Sequence, residues 1–192
     1  MIRQLILASS SPRRRELLKQ LGLDFRTLPC RIEEIPPPGL HPRELVETLA
    51  ARKARAVAAL LDDGIVIGAD TVVVSGGQVL GKPADAGDAV EMLRRLQGRS
   101  HEVYTGVALV DAGGGKVLID HARTRVYFKP LGDPEIFKYV STGEPLDKAG
   151  AYAVQGLAAM FVSRLEGCYT NVVGLPLAKL SDMLGELGYN VL

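Results

Sequence analysis

The 192-residue chain reads as an α/β protein: a mixed, partly antiparallel twisted sheet flanked by helices. Three observations point there. A short apolar run, Leu5-Ile6-Leu7-Ala8, gives way to a helix start at Ser11-Pro12, the order of a strand feeding a helix. A second run, Ile65 to Val74, is dense in β-branched residues and carries one charge, as a buried strand does. Farther on, two long strand patterns flank Ala112-Gly113-Gly114-Gly115, which reads as a hairpin turn. Early alternation of strand and helix with a later hairpin implies both parallel and antiparallel pairs.

The elements follow in order. Ile2 to Ala8 is a strand, and Pro12 to Leu21 a helix capped by Ser11 and closed by Gly22. Phe25 to Leu28 is a short strand, and Ile35-Pro36-Pro37-Pro38-Gly39 is a rigid connector outside regular structure. Pro42 to Leu61 is a long helix with Leu45, Leu49, Val57 and Leu61 at helical spacing. The strand from Gly64 to Ser75 turns at Gly76-Gly77 into Gln78 to Leu80. Asp85, with Asp88 three residues on, opens a helix that runs to Leu96 before Gly98. His101 to Asp111 and Lys116 to Phe128 form the hairpin. Asp133-Pro134 caps a helix through Val140, Met160 to Leu165 is a strand, and Pro176 to Leu187 is a closing helix. No internal repeat or low-complexity linker interrupts the chain, so a single domain over residues 1–192, or two small lobes sharing one core, is expected.

Composition narrows the function. Hydrophobic residues make up 47% of the chain, enough for a sizeable core. The 23 basic residues nearly cancel the 22 acidic ones, a net charge of +1. That balance, and the absence of clustered aromatics, argues against a nucleic-acid binder. Cys30 and Cys168 have no metal or CxxC spacing and read as free thiols in a reducing compartment, with a single disulfide between them as the alternative. No apolar stretch approaches a membrane span and no signal peptide is visible; a cytoplasmic protein is the expectation.

The helix opened by Ser11-Pro12 turns its free N–H groups and positive dipole end toward the strand that precedes it. Arg13 and Arg14 are unfavourable beside that end unless it receives a strongly negative group such as a polyphosphate; solvated arginines are the alternative. Asp70 is the single charge in the strongest strand. Its burial is costly unless it is paired or holds a metal; hydrogen bonding to neighbouring N–H groups is the structural alternative. Gly68 beside it implies close backbone approach or a bulge. Glu33-Glu34 could join Asp70 around a divalent cation, although such a pair is more often a solvated surface. Lys53 lies among Arg52 and Arg55 on a basic helical face, a pattern that by itself implies solvation.

Gly76 to Lys82 fits the spacing of a phosphate loop, but Pro83 stands where a serine or threonine is needed and the glycines form a hairpin. A P-loop is therefore rejected, while Lys82 could still meet a phosphate as a point charge. Asp147 to Gly156 is rich in small residues. It reads as a tight turn on the sheet, or as a place where a ligand approaches and Gln155 reads a base edge. Neither GxSxG nor a cysteine-protease signature occurs, and His101 and His121 read as ordinary strand residues.

The serine-proline-arginine opening, Ile67-Gly68-Ala69-Asp70-Thr71, Gly81-Lys82-Pro83 and Asp147-Lys148-Ala149-Gly150-Ala151-Tyr152 occur in that order. Together with Gly98-Arg99-Ser100-His101 and Val173-Gly174-Leu175-Pro176, they resemble the Maf family of nucleoside triphosphate pyrophosphatases, once described as septum-formation proteins. The resemblance covers essentially the whole chain. It implies two lobes around a cleft, similar to the inosine triphosphate pyrophosphatases. It also implies cleavage of a nucleoside triphosphate to monophosphate and pyrophosphate with a divalent cation, usually magnesium, with manganese as an alternative. Homodimers are common in the family.

Carried over by residue, the resemblance makes Asp70 the catalytic acidic residue. Ser9, Arg14, Glu34, Lys53 and Lys82 match its polar active-site positions, with Glu34 and Asp70 as metal ligands. Arg13, Thr71 and Gln155 match the positions that separate substrate groups, and their combination resembles the branch acting on dTTP and UTP. The resemblance leaves Asp70 either as general base or as metal ligand. The alternatives are a nucleotide-binding regulator of division without turnover, and the same chemistry on 7-methyl-GTP or another non-standard nucleotide.

Overall fold

The structure, a computed structural model, describes residues 3–30 and 39–192. Glu33, Glu34 and the Ile35–Pro38 part of the connector lie outside the described residues. The strands are β1 (Leu5–Leu7), β2 (Phe25–Thr27), β3 (Ile65–Ser75), β4 (Gln78–Leu80), β5 (Ser100–Asp111), β6 (Val117–Phe128) and β7 (Val162–Glu166). They form a seven-stranded sheet in the order β2-β1-β3-β5-β6-β7, with β4 paired to β3. The sheet is mixed: β1 runs parallel to β2 and β3, while β4 is antiparallel to β3 and β7 to β6. The helices are α1 (Pro12–Gln20), α2 (Pro42–Ala58), α3 (Ala86–Leu96), α4 (Asp133–Val140), α5 (Tyr169–Val173) and α6 (Leu177–Glu186).

The chain divides into two compact units. The first holds the described residues up to Asp70, with Thr105–Ala122 and Gly174–Leu192. Its core includes Ile6 and Val66 under an alanine-rich face of α2, Ala50, Ala54 and Ala58. That face lets the helix lie unusually close to the strands. A Cβ on Gly68 would sit 2.4 Å from the Ala50 carbonyl oxygen, and one on Gly106 2.3 Å from that of Val46. Gly68 therefore marks close approach rather than a bulge.

The second unit holds Thr71–Tyr104 and Arg123–Val173. Its core joins α3 and α4 to aromatic residues, among them Phe128, Tyr139, Tyr152 and Phe161. Asp85 caps α3 as expected, its side chain accepting from the Asp88 N–H at 2.9 Å. Gly76 and Gly77, both at positive φ, turn β3 into β4. The phosphate-loop spacing is thus a hairpin.

Three differences from the sequence expectation stand out. β1 is confined to Leu5–Leu7, and α2 ends at Ala58, where Leu60 and Leu61 close the last turn by bonding back to Val57 and Ala58. The small-residue segment is built from 3-10 turns at Glu144–Asp147, Ala149–Ala151 and Leu157–Phe161. The last of these delays β7 to Val162. Finally, α5 was not expected. Its Asn171 is fully buried and donates to the Val103 carbonyl and the Thr124 hydroxyl.

Candidate active site

Within the first unit the chain passes from β1 through α1 to β2 on one side. It then returns through α2 to β3 on the other side of β1. The strand order therefore reverses between β1 and β3. In parallel α/β sheets the carboxyl ends of strands at such a switch point form the ordinary ligand site. Ser9 follows the end of β1, and Asp70 lies three residues beyond Ile67, the partner of Leu7.

Asp70 is 7% exposed and Lys53 8%. The Lys53 ammonium donates to Asp70 Oδ1 at 2.6 Å. The close seating of α2 explains why this lysine is buried while Arg52 and Arg55 are exposed. Lys53 is three residues from Ala50 and adjacent to Ala54, on the edge of the face that rests on Gly68. The reading of this helix face as wholly solvated fails at that one position. A buried carboxylate without a partner costs several kcal/mol, and Lys53 is one partner that offsets this cost for Asp70.

At the start of α1, Ser11 caps the helix, accepting from the Arg14 N–H at 3.5 Å. The Ser9 hydroxyl accepts from the Ser11 N–H and from Arg14 Nη1, both at 3.2 Å. Arg14 Nε donates to the Gly174 carbonyl at 2.7 Å. The guanidinium is thus held back over the helix N-terminus, and the Val173-Gly174-Leu175-Pro176 segment gains a purpose as its anchor. Arg13 is half-buried on the same first turn.

Thr71, Lys82 and Gln155 belong to the second unit. Thr71 is half-buried on β3, and Lys82 and Gln155 are exposed. Gly150 ties their segments together. Its N–H donates to the Gly81 carbonyl at 2.9 Å, next to Lys82. A Cβ on it would lie 2.9 Å from Val73, two residues after Thr71. The small residues thus admit the sheet itself.

One cluster escaped the sequence reading. Glu47 of α2 and Asp120 and His121 of β6 bring three ligand atoms within 4.8 Å of one another, so they could hold a metal ion. His121 Nδ1 lies 2.8 Å from Glu47 Oε1. Arg43 pairs with Glu47 and Lys179 with Asp120. Burial raises the Asp120 carboxyl, but Lys179 and the His121 N–H outweigh it and hold it below the usual carboxylate range. Only the Asp120-His121 adjacency is local, because Glu47 reaches His121 across 74 residues.

Residues 4–187 match the family described as Maf-like protein. The chain belongs to the Maf family. It is 63% identical, over all of both chains, to the dTTP/UTP pyrophosphatase of Pelotomaculum thermopropionicum. It is 52% identical to the dTTP/UTP pyrophosphatase of Desulforamulus reducens, covering 99% of this chain and 100% of that one. For the dTTP/UTP pyrophosphatase of Moorella thermoacetica the identity is 54%, over 98% and 97%. A solved structure of a nucleoside-triphosphatase, the dITP/XTP pyrophosphatase of Mycobacterium abscessus, aligns with a TM-score of 0.47 at 17% identity. That alignment covers 96% of this chain and 97% of that one. Among the described residues, no helix of this Maf-family chain is long and apolar enough to cross a membrane. Both cysteines are free.

Proposed function

We propose that this chain hydrolyses dTTP and UTP to the nucleoside monophosphate and pyrophosphate. The observation that carries the reading is the full-length 63% identity to a dTTP/UTP pyrophosphatase. The buried Lys53–Asp70 pair at the switch point of the sheet supports it. Arg14, Lys53 and Lys82 offset the triphosphate charge, and the α1 N-terminus adds its dipole. Ser9 and Gly174 keep the Arg14 guanidinium oriented, so little rotamer freedom is lost when phosphate binds. Lys53 holds the Asp70 carboxylate in place. From there Asp70 accepts the proton of the water that attacks the α-phosphorus, and pyrophosphate leaves.

A hard carboxylate such as Asp70 suits a divalent cation, with Glu34 as the second ligand on the family resemblance. Magnesium bound there, or manganese in its place, would supply further positive charge to the phosphates. Arg13 and Thr71 shape the base pocket and Gln155 reads the pyrimidine edge with its amide. The enzyme acts in the cytoplasm as a homodimer of single-domain chains.

The test is product identification after incubation with magnesium and dTTP, UTP, CTP, dITP or 7-methyl-GTP. Monophosphate and pyrophosphate from dTTP and UTP are expected. The same products mainly from 7-methyl-GTP or dITP would overturn the substrate reading. Binding without turnover would favour a regulator.

A further inference from the structure

Gln155 is exposed, directly after the buried Ala153 and Val154, and lies between two fixed points. The first is Tyr152, whose buried ring stands edge-on to Phe128 with centroids 4.8 Å apart. Its hydroxyl lies 2.7 Å from His101 Nε2. Just before it, Gly150 and Ala151 both adopt positive φ, 68° and 58°. Ala151 is the one non-glycine residue at positive φ among the described residues. Such a conformation persists only where surrounding contacts over-determine it.

The second fixed point is Glu144, half-buried at the start of the first 3-10 turn. Its Oε1 accepts from the Tyr139 hydroxyl at 3.0 Å, and its Oε2 from the Leu157 N–H at 3.1 Å. Burial and this carboxylate push the Tyr139 hydroxyl well above its ordinary pKa, so it remains a donor. A Cβ on Gly156 would lie 2.2 Å from Glu144 Oε1, so the backbone next to Gln155 is pressed against the carboxylate. Only Ala153, Val154 and Gln155 separate Tyr152 from Gly156, and the Gly156 N–H closes that span onto the Ala153 carbonyl at 3.1 Å.

We infer that Glu144, braced by Tyr139, is a positioning residue for substrate choice: it fixes the backbone of Gln155 for a pyrimidine nucleoside triphosphate. The inference rests on Gln155 reading the base. An amide that must donate and accept discriminates between bases only when its orientation is set before binding. Neither Glu144 nor Tyr139 needs to touch the nucleotide.

The experiment measures kcat and KM for dTTP, UTP and dITP with the magnesium-supplemented full chain. It compares wild type with Glu144→Gln, Tyr139→Phe, Gln155→Ala and the Glu144→Gln/Gln155→Ala double variant. Glu144→Gln puts an NH2 group where one of two accepting oxygens stood, and Tyr139→Phe removes the brace but keeps the ring. Each should raise KM for dTTP and UTP about tenfold, with kcat within about twofold, and lower the dTTP-to-dITP ratio of kcat/KM by a similar factor. In the Gln155→Ala background Glu144→Gln should leave that ratio unchanged. If Gln155→Ala shifts the ratio while Glu144→Gln and Tyr139→Phe keep the wild-type value, the positioning role is overturned and base reading stands. A fall in Tm with kcat and KM altered equally for all three nucleotides also overturns it, as a purely structural role. An unchanged ratio in Gln155→Ala overturns base reading and this inference together. Should Glu144→Gln fail to fold, Tyr139→Phe carries the same comparison.

Discussion

At the residue scale the Lys53–Asp70 pair has two separable consequences. Asp70→Asn keeps the size of the side chain and removes its charge; kcat for dTTP should fall about 10²–10⁴-fold. Lys53→Met takes the ammonium away from a buried carboxylate. It should destabilise the fold by about 3–5 kcal/mol in a urea titration, and adding Asp70→Asn should recover much of that loss. At Gln155, substitution by Glu replaces a donor with an acceptor and should lower the preference for dTTP over 7-methyl-GTP, read as the ratio of kcat/KM. Asp70 was legible in the sequence because it is one charge in a β-branched run. Lys53 was not legible from its surroundings, because only the spacing of helix and sheet separates it from Arg52 and Arg55. Arg14 stood out for its place at the helix start, but its tie to Gly174 crosses 160 residues and has no local trace.

At the element scale, α2 depends on two glycines beneath it. Gly68→Ala forces a methyl group to 2.4 Å from the Ala50 carbonyl oxygen, and the helix must lift. Overpacking of this kind costs about 1–3 kcal/mol. Activity should fall beyond the stability loss, because the lift carries Lys53 away from Asp70; kcat measured well below the variant's Tm separates the two effects. The strands and helices with strong punctuation were readable. Pro12, Asp85 and the Gly76-Gly77 pair each mark a boundary that the structure keeps, while the cap read at Asp133 falls one residue earlier, on Gly132. The 3-10 turns between residues 144 and 161 were not, since short runs of small residues carry no periodicity to count. They take their shape from tertiary contacts: Glu144 on Leu157, and Gly150 on Gly81.

At the scale of the whole molecule, acid should weaken the protein through His101. Burial lowers its pKa from the ordinary histidine value to about 4. Between pH 6.5 and 4 the unfolded chain takes up a proton that the folded chain refuses, so stability is complete above that window and declines on acidification through it. The decline is on the order of a few kcal/mol, visible as a falling Tm, and His101→Gln should flatten the slope over the same window. The α/β class was legible because the strand and helix patterns alternate. Two lobes were implied by the family resemblance, but which residues fall in each unit was not legible, since each is assembled from separated stretches of chain. That interleaving bears on how the protein is made. The chain crosses between the units four times, and the unit that carries Asp70 includes Gly174–Leu192. There Lys116 donates to the Glu186 carbonyl and Arg3 to that of Leu187. On the ribosome, Ser9, Arg14 and Lys53, the residues proposed to meet phosphate, therefore emerge early and wait for the final helix. The nascent chain can hold Asp70 and Lys53 yet be unable to complete the unit that carries them until translation is nearly over.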